Sequence, residues 1–209
     1  MGAEKRSNDN GLAWAWVIGL TAATVVYRLV PYLLKFSHDL QYIWNLTPVG
    51  AVALFAGARL RSRWGLLVPL VLMALSDLLL IKPLADLGMR AFSWGTPLIY
   101  AAFLLYAVFG RTLVGRSFSP LRIGGAAVLG AVQFFLLSNF TVWAFSATYP
   151  KTLAGLLECY AMGVPFYRQG TAPFFLSTLF GDLFYSGVFF GLYALALHAA
   201  ERRKAEQPV

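Results

Sequence analysis

Apolar positions along this chain gather into long runs broken by short polar punctuation. Seven runs stand out, lettered here A to G: about 12–34, 47–60, 65–82, 95–111, 121–145, 151–164 and 173–199. Most approach or exceed the roughly 20 apolar residues that cross a bilayer core as helix. B is short. F is ambiguous, because it is also short, contains Glu158 and Gly163, and ends at Pro165. The loops between runs are short, and no second domain is visible. The pattern predicts an all-α fold: a polytopic membrane helical bundle of six transmembrane helices plus a re-entrant or interfacial segment, F. One transmembrane domain covers 1–209, with about 12–199 embedded and polar tails at 1–11 and 200–209.

Composition agrees. Of 209 residues, 59% are hydrophobic and 12% charged, with a mean hydropathy of +0.66. Soluble domains carry about 25% charged residues, so the lipid bilayer is the expected surrounding. A net charge of +8 raises nucleic acid as a partner, but the basic residues sit at the ends of apolar runs and form no continuous stripe, which excludes it. Topology accounts for them. If F does not span, both termini share a side. Lys5, Arg6, Arg59, Arg61, Arg63, Arg111, Arg116, Arg122, Arg202, Arg203 and Lys204 then lie on one face, and Lys35, Lys82, Arg90, Lys151 and Arg168 on the other. Eleven against five predicts both termini in the cytoplasm of a multi-pass inner (plasma) membrane protein. The first run lacks a convincing small-residue cleavage site and reads as a retained helix. The opening MGAEKRS partly matches a myristoylation pattern, which six spans would make redundant.

Against that background the polar residues inside the runs need a reason. FFLSTLFGDLFYSGVFFGLYALAL, 174–197, carries a lone acid, Asp182. With A, C and E running outward, Arg28, Asp77 and Asn139 lie roughly 8–9 Å below the outer core boundary, and Asp182 on G about 14 Å deep. F dips from the same side with Glu158 and Cys159. A charge at the centre of a spanning helix costs about 2.5–3.5 kcal/mol on insertion scales. Convergence of these groups around a polar cavity open to the outside, with Arg28 as the countercharge of Asp182, answers that cost. A buried ion pair that merely fixes packing is the plainer alternative. The substrate-binding set is Arg28, Asp77, Asn139, Glu158 and Asp182, closed from the loops by Asn45, Trp143, Lys151, Tyr160 and Arg168. The aromatic members also suit an interfacial belt.

Three smaller signals complete the reading. Gly50, Ala53 and Gly57 share one face of B and invite close approach by C, by E or by a separate protein. NLTPVGAVALFAGA from Asn45 and NFTVWAFSATYPKTLAG from Asn139, each followed by an Asp-Leu pair, form a faint internal echo of the kind transporters use. Enzyme motifs are missing: no HExxH, GxSxG, P-loop or CxxC. His38 and His198 fall on opposite sides, and Cys159 beside Glu158 is either a metal or corrinoid ligand or, more simply, inert core. No cofactor is implied.

The layout resembles the S components, the substrate-binding membrane subunits of energy-coupling factor vitamin transporters. The likeness lies in six helices with cytoplasmic termini and the short second helix NLTPVGAVALFAGARL followed by GLLVPLVLMALSDLLL. It implies an outer-face cavity for a small polar or vitamin-like solute, and a transmembrane coupling subunit with ATPases as partner. The docking motif of S components lies in the first helix, where GLTAATVVY at 19–27 matches it only loosely. More closely, NLTPVGAVALF, SDLLL, NFTVWA, YPKTLAGLLECY and TLFGDLFYSGVFFG are similar to a family of small bacterial integral membrane proteins of unknown function, over about 40–192. Two other functions compete: a membrane enzyme acting on a lipid or isoprenoid headgroup with Asp182 and Glu158 as acid and base, and a structural subunit whose polar groups are satisfied internally.

Overall fold

A backbone without water must satisfy its own N–H and C=O groups, and a continuous helix does so within one segment. The computed structural model, which describes residues 2–34, 46–60, 62–163 and 174–205, is helical almost throughout these stretches. The helices are α1 (Gly2–Leu33), α2 (Val49–Arg59), α3 (Trp64–Ala85), α4 (Thr96–Phe109), α5 (Pro120–Phe145), α6 (Leu153–Gly163) and α7 (Phe174–Ala205). α4 continues through a π-helical turn, Gly110–Val114, which stops at Gly115 with φ +54°, a backbone conformation open to glycine. Pro97 and Pro120 stand at the starts of α4 and α5, where a missing N–H costs nothing.

Five helices are long and apolar enough to cross a bilayer: α1 from Asn10, α3, α4 with its π turn, α5 and α7. α2 and α6, with eleven residues each, are not. They rise about 16 Å against a core of about 30 Å. Among the described residues five of the six expected spans thus have bilayer length, and the short second helix is a half-length element. The polar tails were expected to lie outside helices. Instead α1 starts at Gly2 and α7 runs to Ala205, because neither AEKRSNDN nor ERRKA contains a proline to stop the turn.

α1 and α7 run antiparallel. Trp16 meets Tyr193 edge-on at 6.0 Å between centroids, and Tyr27 meets Tyr185 at 6.4 Å. Asn10 of α1 and Leu197 of α7 border one small cavity of about 200 Å³ together with Arg59, Arg116, Phe118 and Tyr193. Both ends of the helical chain thus share one face, termed here the chain-end face. Arg59 closes α2 there, donating at 3.0 Å to the carbonyls of Gly115 and Ser117, its guanidinium 4.0 Å from the Phe118 ring centroid. The start of α2 lies at mid-bundle, where the Tyr27 hydroxyl donates to Leu46 O at 3.0 Å.

Every residue from Val49 to Ala58 is buried. α2 is the axis of the bundle, touched by α1, α3, α4, α5 and α7. Glycine and alanine let the neighbours in. A methyl group on Gly57 would strike the Ala107 carbonyl of α4, and one on Gly110 would strike the Leu54 carbonyl of α2. The small face of α2 therefore meets α4, not C or E as expected from the sequence. α6 packs on α5. The internal echo is not a structural repeat. Its first copy turns through Leu46 and Thr47 into α2, whereas Asn139 sits inside α5 and its copy runs on through a loop into α6.

Overpacking a filled core costs typically 1–3 kcal/mol. Gly57→Val is expected to lower the unfolding midpoint of the detergent-solubilised protein by at least that equivalent. Gly187→Ala, where an added methyl meets nothing within 4 Å, should be neutral or slightly stabilising. Equal effects at the two positions in a thermal melt would contradict this packing.

Candidate functional site

Because α2 is half-length, the described residues leave open space beyond its start. A cavity of about 570 Å³ lies there. Its floor is the start of α2, with Thr47, Val49 and Gly50. Its walls come from Arg28 and Met73, from Ile99, Phe103 and Tyr106 on α4, and from Phe134, Phe135, Ser138 and Asn139 on α5. Cys159, Met162 and Gly163 of α6 and Phe175, Thr178 and Asp182 of α7 complete it, and Tyr149 marks its extent toward the α5–α6 loop. The lining is mainly apolar and aromatic with a few polar groups, the usual make-up of a small-molecule site.

Asp182 is 2% exposed and accepts a hydrogen bond from the Tyr106 hydroxyl. The pair occupies a slot cut by two glycines. A methyl on Gly50 would strike both the Asp182 carboxylate and the Tyr106 ring, and one on Gly130 would strike the Tyr106 ring. The carboxylate lies beside the first turn of α2, the positive end of that helix dipole.

Arg28 belongs to a second cluster. It donates to Asp77 Oδ1 at 2.7 Å, to the Ser76 hydroxyl, and to the Met73 sulfur at 3.2 Å. Tyr100 donates to the other Asp77 oxygen at 2.9 Å. The expected Arg28–Asp182 countercharge is thus replaced by Arg28–Asp77, because one turn of α3 presents Met73, Ser76 and Asp77 to the guanidinium. Among the described residues no basic side chain pairs with Asp182.

Of the ten residues proposed from the sequence, Arg28, Asn139 and Asp182 border the cavity, and Asp77 stands behind Arg28. Trp143 and Lys151 instead tie the α5–α6 loop to the end of α5, and Tyr160 joins α6 to α5. The Trp143 indole donates to Pro150 O at 2.9 Å, Lys151 to the carbonyls of Trp143 and Ser146, and Tyr160 to Leu136 O at 3.2 Å. Glu158 faces outward and borders no part of the cavity, so it does not meet Asp182 as an acid–base partner. Asn45 and Arg168 lie outside the described residues, as does His38. Cys159 is buried and its thiol donates to Asn139 O at 3.3 Å. Among the described residues no group of three potential metal ligands occurs.

Sequence reasoning missed Tyr106, Tyr100, Ser76 and Gly50. Only Tyr106 left a signal, a phenol in the middle of the apolar run FLLYAVF. A buried tyrosine hydroxyl seeks a partner, and Asp182 at similar depth was available.

The described residues, helical almost throughout and with five bilayer-length apolar helices among them, have the build of a multi-pass membrane protein. The chain belongs to a family of unknown function, DUF6580, whose match covers residues 8–206. No curated protein and no solved structure matches the chain.

Removing one partner of a buried ion pair costs about 3–5 kcal/mol, and the Arg28 and Asp77 side chains are 18% and 9% exposed. Asp77→Ala should therefore destabilise strongly in a chemical-unfolding titration. The double replacement Arg28→Met with Asp77→Leu should recover most of the loss. A single mutant as stable as the parent would show that the pair carries no weight.

Proposed function

We propose that this protein binds a small solute within the membrane, as the substrate-binding part of an uptake system comparable to an S component. The observation that supports this is the cavity over the half-length helix α2. It is large enough for a small organic molecule, draws lining from all seven helices, and holds a buried carboxyl at its floor. A purely structural subunit would gain nothing from an unfilled half.

In this reading the chain-end face is cytoplasmic and the cavity faces outward. Arg59, Arg111, Arg116 and Arg122 lie in or beside the connections on the chain-end face, while Lys82, Arg90 and Lys151 lie toward the opposite one. That is the distribution favoured by the positive-inside tendency. In this reading the chain crosses six times, with α2 belonging to the second crossing. No nucleotide motif is present, so uptake draws on an ion gradient, on facilitated diffusion, or on a separate coupling subunit with ATPases.

Native mass spectrometry of protein taken from its own membrane should detect a retained small molecule. Ser138→Trp, which fills the cavity from α5, should insert and melt normally yet lose that molecule. Phosphatase fused after Arg90 should be active and fused after Arg116 inactive. An empty wild-type protein, or the reverse fusion pattern, would contradict the reading.

A further inference from the structure

The proposed site has charged groups in two states of completion. Arg28 is matched: Asp77 takes its charge, and Ser76 and Met73 take further donors. Asp182 is not. Its polar partner is a neutral phenol, and no basic side chain among the described residues reaches it. The start of α2 adds a partial positive charge nearby, equivalent to about half an elementary charge. That partial charge is no full countercharge.

A carboxyl buried beside one neutral donor carries charge only when a full countercharge or several donors reach it. The slot around it is also built with care. Gly50 and Gly130 are both cut back so that Asp182 and Tyr106 can lie side by side. Beyond the carboxyl the walls are aromatic, with Phe103, Phe134, Phe135 and Phe175. Such rings attract a cation with their faces and pack a flat apolar body.

Resting on the binding function proposed above, we infer that the solute is an organic cation: a positively charged nitrogen that docks on Asp182, attached to a flat, largely apolar body held among the phenylalanines. Tyr106 is a positioning residue that fixes the carboxylate. Arg28, its charge matched by Asp77, contributes only a polar stretch of wall.

The test uses the full-length protein in detergent with three isosteric probes: benzamidinium, benzamide and benzoate. Titration calorimetry should give benzamidinium at least about tenfold tighter binding than benzamide, the increment of one charge-assisted hydrogen bond, and no measurable benzoate binding. Asp182→Asn should bring benzamidinium down to the level of benzamide. Tyr106→Phe should weaken benzamidinium while leaving it ahead of benzamide. Benzoate or benzamide binding as well as benzamidinium, or an unchanged benzamidinium affinity in Asp182→Asn, overturns the cation and leaves the cavity function standing. Binding of none of the three also overturns it. The comparison of wild type with Ser138→Trp by mass spectrometry then decides whether the cavity function falls too. If Asp182→Asn fails to fold, protection of Thr178→Cys, in a Cys159→Ser background, against a thiol reagent tests the same point. Benzamidinium should protect and benzoate should not, and equal protection overturns the cation.

Discussion

The architecture depends on one close approach. α2 and α4 touch backbone to backbone, Gly57 against Ala107 and Leu54 against Gly110. Between helices in lipid the hydrophobic effect supplies little, because acyl chains are as apolar as leucine. Tight van der Waals contact through small residues takes its place. A thin α2 can sit on the axis with the longer helices closed around it. A helix of bulkier residues would force them apart.

The same element explains the hollow. Eleven residues fill only part of the depth that the outer helices span. Where α2 begins, its first turn and Thr47 become a floor rather than a strut. The polar groups then fall into place. Asp182 and Tyr106 meet at the floor, between Gly50 and Gly130. Arg28, Ser76, Asp77 and Tyr100 form a closed cluster to one side. The first group faces the space with an unmatched carboxyl, and the second spends its charge internally. A chain that needed only rigidity would be better served by the second kind alone.

Much of this was legible in the sequence. Apolar runs placed all seven helices to within a few residues over most of their boundaries, since in a bilayer run length and proline positions leave little freedom. Depth counting put Arg28, Asp77, Asn139 and Asp182 in one half of the membrane. Pairing was not legible. Whether Arg28 turns to Asp77 or Asp182 depends on the rotation of α1 against α3, which apolar runs do not encode. Trp143, Lys151 and Tyr160 looked like loop gates and instead hold the α5–α6 loop and α6 against α5. Glu158 lies next to buried Cys159 yet faces outward, since neighbours in a helix point about 100° apart. The glycine face of α2 was visible, but its partner could not be chosen without knowing that α2 is central.

The central claim is that a water-accessible hollow lies beyond the first turn of α2. Single cysteines in a Cys159→Ser background measure it directly, with a small hydrophilic thiol reagent applied to sealed vesicles from the face opposite the chain ends. Cysteine at Phe134 or Thr178 should react rapidly, and cysteine at Ala53 or Ala56 should be protected. Protection at all four positions, or equal reaction at all four, would contradict the account.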